Sequence, residues 1–211
     1  MGRSVTVTGR GRASADYDEA TLRLTAAARA ASPSDATARA TYAMSGMREA
    51  LVRGGVGESS LSTTNVSLSP VHDPWPTVVA YEASLSLAAK LSELSHVGSL
   101  LVGAIDAGGD GARIDGITFS HSDPAVVENA AREAAFADAR VKAEQYARLA
   151  GQSLGEVRHV AESEFGGVPV PQRVIAAAVN MGAVPIDGGE GSVTAVVIVS
   201  WSLVPADGAA N

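Results

Sequence analysis

The sequence predicts an α+β fold: an antiparallel or mixed β-sheet with about three helices packed on it, in the order ββαββαβαββ. Three observations carry this. Several segments alternate apolar and polar residues with the period of two that a half-buried strand requires. Three others repeat small apolar residues every three or four positions, bounded by capping residues or glycines. Helices are also too few and too irregularly placed for the strand–helix alternation of a doubly wound parallel sheet.

In chain order, Val5 and Val7 alternate with Thr6 and Thr8 until Gly9-Arg10-Gly11, which reads as a turn. Ala20, Leu22, Leu24, Ala26 and Ala28 then share one face of a strand at about 17–30. Ser32 can cap a helix whose first turn takes Pro33 and Asp35, and Gly54-Gly55 stops it. Ala36, Ala40, Ala43, Met47 and Leu51 form its apolar stripe. Val66 and Leu68 mark a strand within 61–69, and Pro70 to Pro76 form a proline-rich loop. Tyr81, Ala83, Leu85 and Leu87 line the returning strand, so 60–90 reads as a long hairpin.

A second helix is expected from about 91 to 107, with Leu94, Val97, Leu101 and Ile105 as its stripe and Gly108-Gly109 as its stop. Ile114, Ile117 and Phe119 follow in a strand, where Asp115-Gly116 suggests a bend or bulge. Asp123-Pro124 caps the longest helix, to about 150, whose alanines at 130, 134, 137, 143, 147 and 150 would let it lie close on a sheet. A strand near 156–163 and a Gly/Pro/Ala-rich loop over 165–190 lead to the last strand, 192–204. Its second face, Thr194-Val196-Ile198-Ser200-Ser202, is mixed enough to suggest burial on both sides. No linker divides the core. The expectation is one domain over 1–205, with the 60–90 hairpin a candidate subdomain and 206–211 a frayed tail.

Composition narrows the function classes. Of 211 residues 46% are hydrophobic, but only 4% are aromatic, so the core must rely on close backbone approach by alanine. Acidic residues outnumber basic ones 23 to 16, and no dense basic run appears, which argues against nucleic acid as a partner. The chain has no cysteine, so disulfides, thiolate nucleophiles and zinc–thiolate sites are excluded. No apolar stretch is long enough for an integral membrane segment. Residues 1–8 run straight into strand-like alternation without a signal-like apolar stretch, so the chain as written reads as cytoplasmic, or as exported if a leader has been removed.

Candidate sites are sparse. His72, His96, His121 and His159 each fall on a different element, whereas a helical metal pair would need two at i, i+4. His72 beside Asp73 in the proline-rich loop is the most site-like pair, but ordinary surface loop residues explain it more readily. His121 with Asp123 precedes a helix start, where Asp123 already has a cap to make. No Gly-x-Ser-x-Gly elbow is present, and Gly9-Arg10-Gly11 does not open a helix that could face an anion. Asp16/Asp18 and Glu162/Glu164 would share a strand face, as solvated surface more readily than as an acid–base pair. Trp75 differs. Held between Pro74 and Pro76, it either anchors a protein contact or folds back over the hairpin. No catalytic residue, cofactor or metal is expected.

Several segments together resemble the SIMPL-domain family. They are Val5 to Gly11 followed by Tyr17-Asp18-Glu19-Ala20, Ala50 to Val56, Leu61 to Pro70, Tyr81 to Leu87, Ile114 to Ser120, and the helix from Ala130 to Gly151. The chain departs from the family pattern at Tyr17, where proline often precedes the aspartate. The resemblance implies an α+β domain without established catalytic residues. It also implies kinship with a kinase-associated signalling protein, with a bacterial envelope protein that assembles into rings, and with others linked to stress responses. The expectation is a non-enzymatic scaffold, a homo-oligomer with a possible protein partner, with Trp75 and His72 as candidate contacts and exposed strand edges as a means of contact. Two alternatives stand beside it: a small-molecule pocket between the sheet and the alanine-rich helix, and a hydrolase using His72 or His121.

Overall fold

The computed structural model describes residues 2–163, 173–174 and 186–206, in which eleven segments are strands or α-helices. They are β1 (Ser4–Asp16), β2 (Glu19–Ala30), α1 (Pro33–Arg53), β3 (Leu61–His72), β4 (Val78–Leu91) and α2 (Val97–Gly108). After these come β5 (Ala112–Ser120), α3 (Pro124–Leu149), β6 (Gln152–Glu162), β7 (Arg173–Val174) and β8 (Glu190–Pro205). The α+β class and the element order are as expected. The short β7 falls within the stretch read as loop; the rest of 164–185 and the tail from 207 lie outside the described residues. All pairings are antiparallel, in a three-stranded sheet β1-β8-β6 and a five-stranded sheet β3-β4-β2-β5-β7. The chain divides into two compact units, one per sheet.

The unit around the five-stranded sheet is built on β2, whose Leu22 and Leu24 are wholly buried. β4 adds Leu87, Ala89 and Leu91, β5 adds Ile117 and Phe119, and the helices add Met47, Leu51, Val97 and Leu101. Helix α1 begins as its sequence dictates: the Ser32 hydroxyl accepts the Asp35 N–H, Pro33 stands in the first turn, and Gly54 ends it. The bend at Asp115-Gly116 is a bulge. Arg23 pairs with Gly116 and Leu24 with Ile114, leaving Asp115 as the extra residue, and Gly116 takes φ 145°, a value that favours glycine.

Two boundaries in this unit differ from the sequence reading. β3 runs on through Pro70, Val71 and His72, which were expected in the loop. The reason is its position: on an edge strand a proline can turn its missing N–H away from the ladder. α2 starts at Val97 instead of about 91, because Leu91 is still paired with Ala20 as the last residue of β4. The hairpin of 60–90 is part of the sheet, with β4 paired to β2 from Leu91 to Tyr81.

In the other unit α3 packs on β1 and β8. Here Gly9-Arg10-Gly11 is no turn, because β1 continues through it in register with β8. The glycines serve a close approach. A carbon added at Gly9 would lie 2.1 Å from the Ala135 carbonyl oxygen, and one at Gly11 would lie 2.1 Å from that of Ala131. The helix face that meets them is Val127, Ala131, Ala135, Ala139, Ala143 and Ala147, all buried. Of the alanines expected there only 143 and 147 belong; 130, 134, 137 and 150 face solvent. β8 buries one face only, Val193 to Trp201, while Thr194 and Ile198 on the other are exposed. Trp201, 5.9 Å from the Phe136 ring, supplies the bulk that alanine cannot.

Two glycine substitutions test this packing by thermal denaturation. Gly11→Ala forces its methyl into helix backbone and is expected to cost at least about 1–3 kcal/mol, as overpacking does. Gly103→Ala, on the solvent-exposed side of α2 with nothing within 4 Å of the added carbon, is expected to stabilise by up to about 1 kcal/mol.

Candidate functional site

The polar residues singled out by sequence are held in local structural pairs. Asp18 lies between β1 and β2, off any strand, and accepts the Ser122 N–H at 2.7 Å and its hydroxyl at 2.6 Å. These two bonds, the hydroxyl's first, hold its carboxyl below the ordinary carboxylate value. Asp16 instead ends β1, so the two aspartates do not line one strand face. Glu162 pairs with Arg132 at 3.0 Å, and Glu164 lies outside the described residues. Asp123 caps α3 through the Ala125 N–H. Glu19, the buried carboxylate, is matched by Lys90 at 2.8 Å and the Ser120 hydroxyl at 3.2 Å.

The histidines stay apart. His96 is exposed beside Glu93 at 3.0 Å, and His159 is exposed on β6. The His121 ring lies 4.8 Å from that of Tyr17, with its buried Nε2 lacking a hydrogen-bond partner among the described residues. His72 ends β3 and touches Trp75, ring centroids 4.3 Å apart and tilted by 47°. Trp75 is 77% exposed, so it is not buried against the hairpin. Among the described residues no three metal-binding side chains gather.

What the structure does bring together is a bare strand edge and an uncovered apolar row. On the face of the five-stranded sheet where Ala83 packs against Ala36 and Ala40 of α1, β3 places Val66 opposite Leu85 and Leu68 opposite Ala83. Both lie beyond the cover of the helix, Val66 being 65% and Leu68 49% exposed. Val78 and Val79, at the other end of the hairpin near Trp75, are exposed as well. The opposite face of β3 is polar, with Ser67 bonded to Ser84 at 2.7 Å. From Leu61 to Val71 the strand carries no charge.

The remaining edges are guarded, each differently. Along β1, the Asp138 carboxylate of α3 accepts the Arg10 N–H at 2.8 Å and Lys142 donates to the Thr8 carbonyl at 3.1 Å, the two side chains being themselves 2.6 Å apart. An ion pair thus covers the groups an incoming strand would need. β6 is broken by two register shifts and carries Glu156, Arg158, His159 and Glu162. β7 has two residues and pairs only with Ile117 and Thr118, so the rest of β5 is also an edge among the described strands, with Arg113, Asp115 and the bulge at Gly116 along it. Among the described strands, β3 is the long edge without charge or cover. Sequence reasoning used Val66 and Leu68 only to locate a strand; the absence of charge around them, and Pro70 beyond, were the signals of an edge. The guard on β1 was signalled by Asp138 and Lys142 four apart on a helix.

Comparison with known proteins adds kinship. The SIMPL family model, described as a protein of unknown function (DUF541), matches residues 5–201. Two relatives, each named 26 kDa periplasmic immunogenic protein, come from Brucella melitensis biotype 1 and Brucella abortus strain S19. Each is 29% identical to this chain over 216 aligned residues, covering 94% of it and 84% of the relative.

The edge guard has a pH signature. The Lys142 ammonium, then the Arg10 N–H, holds the Asp138 carboxyl below its ordinary value of 3.8. A carboxyl lowered on folding stabilises fully above the unfolded value, and the effect is lost as pH falls through the folded one. Asp138→Asn is therefore expected to lower the urea midpoint at neutral pH, with the gap to the native chain closing in acid below the carboxylate range. A gap that stays constant with pH would refute the assignment.

Proposed function

Since the chain belongs to the SIMPL family, whose members' shared function is unknown, we propose that it is a non-enzymatic interaction domain working outside the cytoplasm. In this reading it associates with itself or holds a protein partner. One observation carries the reading: a twelve-residue edge strand, uncharged from Leu61 to Val71 and bearing exposed Val66 and Leu68, in a protein whose other described edges carry charge, bulges or cover. An open edge of this kind offers backbone hydrogen bonds for affinity and alternate side chains for selectivity. Trp75, resting on His72, adds an aromatic anchor at the end of the same hairpin. The family model spans elements of both units, which supports treating them as one working domain.

Two further considerations favour this reading. Asp18 is bonded to Ser122, Asp123 caps α3, and Asp138 and Glu162 sit in ion pairs, the work of a framework. A ligand between the sheet and α3 finds no room at Gly9 and Gly11, where not even a methyl group fits; the hollow that remains beside Thr6, Lys142 and Tyr146 is shallow and open to solvent. As for compartment, relatives named periplasmic give the cytoplasmic expectation no support and favour export. A chain without cysteine tolerates an oxidising compartment equally well.

Sedimentation velocity over a concentration series tests the interaction. Combining Val66→Ser, Leu68→Ser and Trp75→Ala is expected to weaken association by about tenfold or more, as loss of anchor residues does. Each substitution is at an exposed position and should change folding stability by no more than about 0.5 kcal/mol. A chain that is monomeric throughout, and that cross-links to no partner through this hairpin, would defeat the reading. For localisation, fractionation of the producing cells should place the protein outside the cytoplasm; recovery in the cytosolic fraction would reject export.

A further inference from the structure

We infer that the occupant of the β3 edge is β3 of a second copy of this chain, paired antiparallel about Ser67. This deepens the interaction reading above and rests on it.

The backbone decides which groups face outward. Asp73, directly following β3, donates its N–H to the Thr77 carbonyl at 3.1 Å, on the side of the returning strand. Peptide groups alternate sides along a strand. A register shift separates Asp73 from the regular run 65–71, and within that run Pro70 sets the phase, since a proline sits in a strand where its missing N–H would face away from the ladder. Val66, Leu68 and Pro70 therefore turn their peptide groups to the open side, and Ser67, Ser69 and Val71 turn theirs to β4, in the same phase as Asp73. Val66 and Leu68 thus offer both N–H and C=O outward, and Pro70 offers a C=O alone. Towards the start of the strand, the register shift around Thr64 interrupts the repeat. An incoming strand finds a regular window only over 65–69.

That window complements itself. Reversed against a second copy, Val66 meets Leu68 and Leu68 meets Val66, each pair exchanging two backbone hydrogen bonds, while Ser67 meets Ser67 on the two-fold axis. Sliding by two residues in one direction sets Pro70 against Val66 and leaves the Val66 carbonyl without a donor. Sliding in the other sets Leu68 against the irregular Thr64. The side chains obey the same register. Val66 and Leu68 of the two copies form one apolar row across the axis, covering what α1 leaves bare, and the serines stay together on the polar face. Charge favours this meeting point as well. Each chain carries a net −7, and residues 59–71 contribute none of it, so repulsion between copies is least here.

A cysteine at the axis reads the register, because the chain has no other. Opposed residues of a non-hydrogen-bonded antiparallel pair have Cα atoms about 4.5 Å apart, within disulfide reach. Under mild oxidation Ser67→Cys is expected to give a covalent dimer. Ser69→Cys, which faces Asn65 of the other copy, should remain unlinked. Leu68→Pro removes one outward N–H without touching the ladder to β4; it should abolish the dimer while leaving the far-ultraviolet circular dichroism unchanged. Equal linkage of both cysteine variants, or linkage of Ser67→Cys to a different protein in an extract, overturns the inference. If the native chain associates while Ser67→Cys stays unlinked and Leu68→Pro changes nothing, the inference falls and the interaction reading stands. If the native chain neither associates nor uses this hairpin for any partner, both fall.

Discussion

Contact between α3 and β1 sets the terms for the unit that contains them. A helix whose buried face is almost entirely alanine has little area to remove from water, so it gains from burial chiefly through the density of its contacts. That density requires the helix backbone to come within touching distance of the strand, which only glycine at positions 9 and 11 permits. Once the helix is that close, its polar flank lies over the strand edge, where Asp138 and Lys142 bond the Arg10 N–H and the Thr8 carbonyl. Packing and edge protection are therefore one arrangement. The side chains that guard the sheet could not reach it if the glycines were larger.

The five-stranded sheet is stabilised by other means, and its surface differs accordingly. Leucines, Met47 and Phe119 fill its core, and no comparably close helix needs to run along its outer strand. β3 is left with its backbone open and with Val66 and Leu68 in phase with the buried face. Natural sheets usually blunt such edges with charge, bulges or cover. The contrast between the guarded β1 and the open β3, within one chain, is the observation on which the proposed interaction rests.

Much of this was legible in the sequence, and the misses have physical causes. Ser32-Pro33, Gly54-Gly55, Asp123-Pro124 and the Asp115-Gly116 bulge could be read because each rests on a local backbone requirement. The buried face of α3 could not be read, because alanine occurs on all its sides and periodicity shows only where apolar and polar residues contrast. Gly9 and Gly11 were misread as a turn because glycine is ambiguous between conformational freedom and close approach, and the second becomes visible only with the partner helix in place. Pro70 looked like a loop residue for a similar reason: whether a strand tolerates proline depends on its neighbours, which the local sequence does not name. Of the candidate contacts, Trp75 and His72 were evident from composition, whereas the importance of Val66 and Leu68 required knowing how far α1 extends over the sheet.

The three-stranded sheet joins segments far apart in sequence. β1 spans residues 4–16, and its ladder partner β8 spans 190–205, with nearly every other element between them. Contacts of such high sequence separation form late and slowly. During synthesis, β2 through β5 can assemble from neighbouring segments, while β1 and α3 lack the strand that completes their sheet until β8 emerges from the ribosome. A nascent chain of this topology therefore has a long interval in which half of it is unfinished, and any chaperone or secretion machinery that needs an unfolded substrate would find that interval open.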